Sequence, residues 1–232
     1  MSERIVGILG GMGPQATLDL YREIISLTPA QKDQDHIKVL IYSNPKIPDR
    51  TSAILAGGEN PLPALVESAR ILKQAGAGIL TIPCNAAHYF IPEMQNQVTI
   101  PILNMIEETC KAVRTLMPEI EAVGLLAATL TVKSGLYRKV FQKAGIKVLE
   151  PNEADQQRVH AGIFQVKSKT YGLSTYDTFE SIGASLIETG AGVVILGCTE
   201  VPLAFDPERA GYPSLNATRV LAQAAVDWAL EK

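Results

Sequence analysis

Cys84 and Cys198 occupy matching places in the chain. Each follows a run of apolar residues, each is followed by a small polar residue (Asn85 or Thr199), and residues 76–85 align without gaps on residues 190–199. The match extends outward: Leu72 stands opposite Leu186, and Val-Gly-Ile-Leu at 6–9 resembles Val-Gly-Leu-Leu at 123–126. A free thiol titrates near pH ~8.5, close enough to neutrality to work as a general acid or a general base. Two such groups on opposite faces of a carbon acid can remove a proton from one face and return one to the other, which inverts the configuration. One is thiolate while the other is thiol, so the pair titrates as a unit. His88, four residues after Cys84, leaves a second chemistry open, a thiol activated as a nucleophile by an imidazole. Cys110 keeps no such company and reads as a small apolar filler on a helix.

The elements that must position these thiols follow from the hydrophobic pattern. Short continuous apolar runs at 4–9, 37–43, 78–82, 100–103, 122–127, 146–149 and 193–196 predict strands buried on both faces, as in parallel sheets. The segments 14–27, 61–74, 106–116, 132–143 and 175–189 predict helices between them, with Ser174 and Asp177 marking the start of the last and Gly190 its stop. This alternation predicts an α/β fold of parallel sheets flanked by helices, and the internal repeat predicts two pseudo-symmetric lobes, each of about a hundred residues. Residues 1–115 together with 210–232 form the expected first lobe, carrying Cys84, with a final helix at 217–230 returning to it. Residues 116–209 form the expected second lobe, carrying Cys198. In open parallel sheets ligands bind beyond the carboxyl ends of the strands. Both cysteines fall there, so the expected active site is a cleft between the lobes.

Bulk properties narrow the partners. The 232 residues are 47% hydrophobic and 19% charged, enough for one large core or two small ones and too apolar for disorder. The net charge is -3, from 21 basic and 24 acidic residues. Without a basic stripe this argues against nucleic acid, and any anionic ligand must be held by a few local cations. No apolar stretch approaches a membrane span and no signal-peptide pattern is present. Three widely separated cysteines suit a reducing compartment, so the expectation is a cytoplasmic protein with no membrane partner. Their spacing does not suit a zinc site, and no metal is expected. Glycines at 7, 10, 11 and 13 miss the dinucleotide-binding spacing. The loop at 10–14 reads as a tight turn into a helix with Pro14 in its first turn, suited to a carboxylate. His36 and His160 lack a motif context and are expected at the surface.

Pro83-Cys84-Asn85-Ala86-Ala87-His88 and Gly197-Cys198-Thr199-Glu200, together with Gly10-Gly11-Met12-Gly13-Pro14 and Pro48-Asp49-Arg50, resemble the signature segments of the aspartate/glutamate racemase family, and specifically its aspartate racemase branch. The resemblance covers essentially the whole chain. It implies a two-thiol racemisation that needs no pyridoxal phosphate or other cofactor, a small acidic amino acid as substrate, and a homodimer. It implies that Cys84 and Cys198 are the catalytic pair and that Met12, Asn85, Ala86 and Thr199 lie against the substrate. Arg50 would clamp the distal carboxylate through its bidentate fork, with Lys167 as a second cation. Asp49 and Glu200 would support the site, and a carboxylate beside a thiol raises its pKa, which would hold one cysteine protonated. Ala86 departs from the family pattern, which carries Thr after Cys-Asn, so one hydroxyl donor is missing. Racemisation of glutamate or of other amino acids, a maleate isomerase or hydantoin racemase activity on the same scaffold, arylmalonate decarboxylation and a non-catalytic amino-acid sensor are the alternative readings.

Overall fold

The computed structural model describes residues 4–230. The chain forms two compact units, one running to Glu108 and resuming at Thr218, the other spanning Thr109–Ala217. In chain order the first unit contributes β1 (Ile5–Gly10), α1 (Pro14–Leu27), β2 (Lys38–Ser43), α2 (Arg50–Leu55), α3 (Leu62–Gln74), β3 (Ile79–Thr81) and α4 (Ile91–Gln95). The division falls inside α5 (Met105–Leu116). The second unit continues with β4 (Ala122–Leu126), α6 (Thr129–Lys133), α7 (Leu136–Lys143), β5 (Lys147–Leu149), α8 (Glu153–Lys167), α9 (Leu173–Glu188), β6 (Val194–Leu196), α10 (Pro207–Ala210) and β7 (Ser214–Asn216). The closing helix, α11 (Ala217–Ala229), belongs to the first unit, where the Trp228 carbonyl accepts a hydrogen bond from Arg4 at 2.8 Å.

Each unit is an α/β structure built on a parallel sheet. The first has the strand order β2-β1-β3, and the second β5-β4-β6-β7. In the first, β1 runs in register with β2 from Ile5 opposite Lys38 to Gly10 opposite Ser43, and with β3 from Val6 opposite Ile79 to Ile8 opposite Thr81. Val6, Ile8 and Leu9 are completely buried, as a central strand covered on both faces requires. The core of the first unit gathers Leu9, Leu65, Leu72, Leu80, Ile82 and Met94; that of the second gathers Leu126, Val159, Ile163, Phe179, Leu186 and Leu196. Burying each such side chain contributes about 1.5–3 kcal/mol relative to exposure.

The repeat seen in the sequence is a repeat of construction. The helix before each cysteine strand ends in the same way: Ala77 N–H donates to the Leu72 carbonyl and Ala191 N–H to the Leu186 carbonyl, both at 3.0 Å. The chain turns at Gly76 (φ 103°) and Gly190 (φ 105°), left-handed positions that a side chain would strain.

Several elements differ from the pattern-based expectation. Residues 100–103 make one isolated bridge, Leu80 with Ile102, and not a strand. The helix expected at 132–143 is two, α6 and α7, interrupted at Gly135. The helix expected from Ser174 starts at Leu173, with the Thr175 hydroxyl accepting from Gly172 N–H. Helix α8, which apolar periodicity left out, opens on Asn152, whose side chain accepts from Asp155 N–H at 3.0 Å. His160 is half-buried, with its ring against Phe164. Among the described residues no helix is long and apolar enough to cross a membrane.

Candidate active site

Both cysteines lie just past the carboxyl end of a three-residue buried strand, β3 or β6, and each leads into a 3-10 turn, Asn85–Phe90 or Val201–Ala204. Both are free thiols, with 6% exposure at Cys84 and 8% at Cys198. Polar residues sit directly behind them: Asn85 is 3% exposed and Thr199 2%. Buried polar side chains are retained where they have partners or a ligand to meet.

Around Cys84 the local order is set by His88. Its Nδ1 donates to the Cys84 carbonyl at 2.9 Å, and its Nε2 accepts from Met105 N–H at 3.0 Å. A carbonyl can only accept and an amide can only donate, so the imidazole is neutral with its proton on Nδ1. Burial lowers its pKa to about 4. Both nitrogens are committed to the backbone, which overturns the reading of His88 as the base of a nucleophilic pair. Met12 and Ile47 share the apolar cluster that contains Cys84, and Ala86 packs half-buried against it. In the loop that carries Met12, the Gly11 N–H is taken by the Thr17 hydroxyl at 2.9 Å.

Arg50 opens α2, a six-residue helix capped by Asp49, whose carboxylate accepts from Ser52 N–H at 2.7 Å. Asp49 is exposed, and its contribution runs through this cap. Helix α2 packs against the 3-10 turn that follows Cys84. The Arg50 side chain is 8% exposed, and its Nη1 donates to the carbonyls of Ile47 (3.3 Å) and Pro48 (3.0 Å). Its buried Nε has no hydrogen-bond partner, and among the described residues no carboxylate pairs with it. A buried guanidinium left so is costly unless an anion arrives.

Around Cys198 the neighbour is a carboxylate. The Cys198 thiol donates to Glu200 Oε2 at 3.0 Å, and the Thr199 hydroxyl donates to the same oxygen at 3.2 Å. Glu200 is itself 5% exposed. Burial, followed by the Glu200 charge, pushes the Cys198 thiol well above its ordinary range, and Lys167 acts in the opposite direction. Lys167 lies at the exposed end of α8, with its Nζ 5.5 Å from the Phe164 ring centroid. Cys110 is buried on α5. Among the described residues no group of three or more His, Cys, Asp or Glu side chains is arranged to hold a metal ion.

A family profile described as Asp/Glu/hydantoin racemase matches residues 9–225. The chain belongs to that family. The racemase is 28% identical over 228 residues to the broad specificity amino-acid racemase RacX of Bacillus subtilis, covering 96% of each chain. Among solved structures it superposes on the aspartate racemase of Picrophilus torridus with a TM-score of 0.87 and 30% identity, covering 97% of this chain and 94% of that one. It also matches glutamate racemase from Francisella tularensis in complex with D-glutamate, with a TM-score of 0.70 over all of this chain and 82% of the other; at 15% identity that likeness is one of fold. The protein is thus an isomerase of the amino-acid racemase type.

The structure of this racemase also shows features that motif reading passed over. The Leu80 N–H donates to the Pro101 carbonyl at 2.9 Å, and the Val194 N–H donates to the Pro213 carbonyl at 3.0 Å. The signal is in the sequence, as Pro101-Ile102-Leu103-Asn104 repeats as Pro213-Ser214-Leu215-Asn216. The second copy forms β7, the strand that apolar patterning missed because Ser214 and Asn216 flank a single leucine. In the first copy the Asn104 side chain accepts from Ile106 N–H at 3.1 Å and starts α5 beside the Met105 amide that holds His88.

Proposed function

We propose that this racemase interconverts L- and D-aspartate by a two-thiol mechanism, with Cys84 and Cys198 alternating as general base and general acid and with no cofactor. One thiolate removes the Cα proton while the other cysteine, as a thiol, delivers a proton to the opposite face. Serving the other enantiomer reverses the roles. Negative charge that develops on the α-carboxylate side is met by donors held behind the thiols, Asn85 and Thr199 among them. A cytoplasmic homodimer belongs to the same reading.

The observation that carries the choice of an acidic substrate is Arg50, a buried cation with an unpartnered Nε on a helix packed against the Cys84 turn. Its fork suits the distal carboxylate of aspartate, with Lys167 as the second cation. The Picrophilus torridus relative, named an aspartate racemase, supports the same choice. A wider substrate range is favoured by two observations: the Bacillus subtilis relative is a broad specificity racemase, and Ala86 leaves more room and one donor fewer than a threonine.

Proton NMR of the purified protein with L-aspartate in deuterium oxide, chelator present and no pyridoxal phosphate added, tests the proposal. The Cα proton signal is expected to decay while chiral chromatography shows D-aspartate accumulating. L-glutamate and L-alanine run in parallel measure the breadth. No exchange and no D-aspartate would overturn the aspartate reading; equal rates with alanine would replace it with the broad one.

A further inference from the structure

Phe164 is a large aromatic side chain left 53% exposed on α8. It is absent from the apolar cluster of its unit, which takes Val159, Ile163 and Val166 from the same helix. What it touches are two polar neighbours at helical spacing. The His160 ring meets it edge-on, with centroids 5.0 Å apart and planes at 64°, and the Lys167 ammonium stands over its face at 5.5 Å. Val166, adjacent to Lys167, shares the buried cluster with Cys198, and α8 packs against the 3-10 turn that follows Cys198.

We propose that Phe164 is a positioning residue, whose ring face holds the Lys167 ammonium on the Cys198 side of the racemase site. Lysine has four rotatable side-chain bonds and a strongly hydrated head. An aromatic face within about 6 Å of the cation attracts it through the ring quadrupole. The groups that act electrostatically on Cys198 are Glu200 from its own turn, Tyr137 from α7 and Lys167 from α8. Lys167 favours the thiolate, as does the Glu200 backbone N–H, so where the Lys167 ammonium stands bears on how readily Cys198 becomes a base. This inference rests on the reading of Cys198 as one of the two acid/base groups.

The test is a double-mutant cycle in the full chain, read in two ways. Phe164→Leu keeps an apolar side chain and removes the face. Against aspartate it is expected to lower kcat/KM about fivefold and to move the ascending limb of its pH profile to higher pH. Phe164→Trp is expected to restore both. In a Lys167→Met background, Phe164→Leu is expected to change neither. The second readout needs no turnover: the ε-methylene protons of Lys167 should carry an upfield ring-current shift that Phe164→Leu removes. An undiminished effect of Phe164→Leu in the Lys167→Met background, or no ring-current shift in the wild-type protein, would overturn the inference. A wild-type protein that shows the ring-current shift but exchanges no Cα proton would sink the racemisation reading and leave the Phe164–Lys167 contact standing.

Discussion

The two cysteine turns of this racemase share a plan and differ in what stands beside the sulfur. At Cys84 the nearby titratable group is His88, whose nitrogens are both committed to backbone atoms. It shapes the turn through the Cys84 carbonyl and brings no charge to it. At Cys198 the group is Glu200, which accepts directly from the thiol. One half of the repeat therefore spends its ionisable neighbour on architecture and the other on the thiol itself. A pseudo-symmetric scaffold can present the same nucleus twice, a strand end, a thiol and a small polar residue, while the flanking positions make the two copies electrostatically unequal.

The comparison can be broken first at the thiols. Cys84→Ser and Cys198→Ser are each expected to lower kcat by about 10²–10⁴-fold, the usual worth of a positioned acid or base, with circular dichroism unchanged. Near-wild-type racemisation by both single variants would end the two-thiol reading.

His88 provides the next test, on stability instead of turnover. Its native pKa lies at about 4, below the unfolded value near 6.5. As pH falls between those values the unfolded chain binds a proton that the native imidazole refuses, so the native state loses stability there and loses none above pH 6.5. The full loss is about 3 kcal/mol by linkage. Urea midpoints measured from pH 7 to pH 4 should fall less steeply for His88→Gln, whose amide can keep both hydrogen bonds and cannot titrate. Parallel slopes in the two proteins would show that the native imidazole takes up its proton over the same pH range as the unfolded one.

Glu200→Gln sharpens the electrostatic half of the comparison. Removing the carboxylate charge should bring the Cys198 thiol down, so the ascending limb of the kcat/KM profile moves to lower pH, while the amide still accepts from the thiol. A limb that stays in place would assign it to another group. The smallest effect is expected at Cys110, buried but with no role in the site. Cys110→Ala should leave kcat/KM within twofold and destabilise by about 1 kcal/mol.

Much of the site could be read from the sequence, and the reasons are particular. The cysteines stood out because each ends a continuous apolar run and the runs repeat, which is how buried parallel strands look in one dimension. Arg50 stood out by its motif. Glu200 was legible two residues after Cys198, and its carboxylate does stand on the thiol. The role of His88 was not, because a tautomer is set by what faces each nitrogen, and only the fold brings Met105 N–H against Nε2. Strand β7 and helix α8 escaped because their signals are polar: Pro-x-Leu-Asn for one and an Asn152 cap for the other. Nothing in the sequence marks Phe164, because only the folded helix sets the Lys167 ammonium over its ring.

The buried guanidinium of Arg50 has one more consequence. A protein that keeps a cation in its interior without an anion is less stable empty than filled. Ligand affinity and resistance to unfolding then become one quantity measured in two ways. At a hundredfold excess over Kd a bound dicarboxylate adds about 2.7 kcal/mol to the folded state. On the proposed role of Arg50 as clamp of the distal carboxylate, part of that gain is relief of its desolvation cost, so it should shrink for ligands that lack the second carboxylate. Melting temperature alone would then rank candidate substrates, and the empty site would act as the weak point through which the fold senses whether its substrate is present.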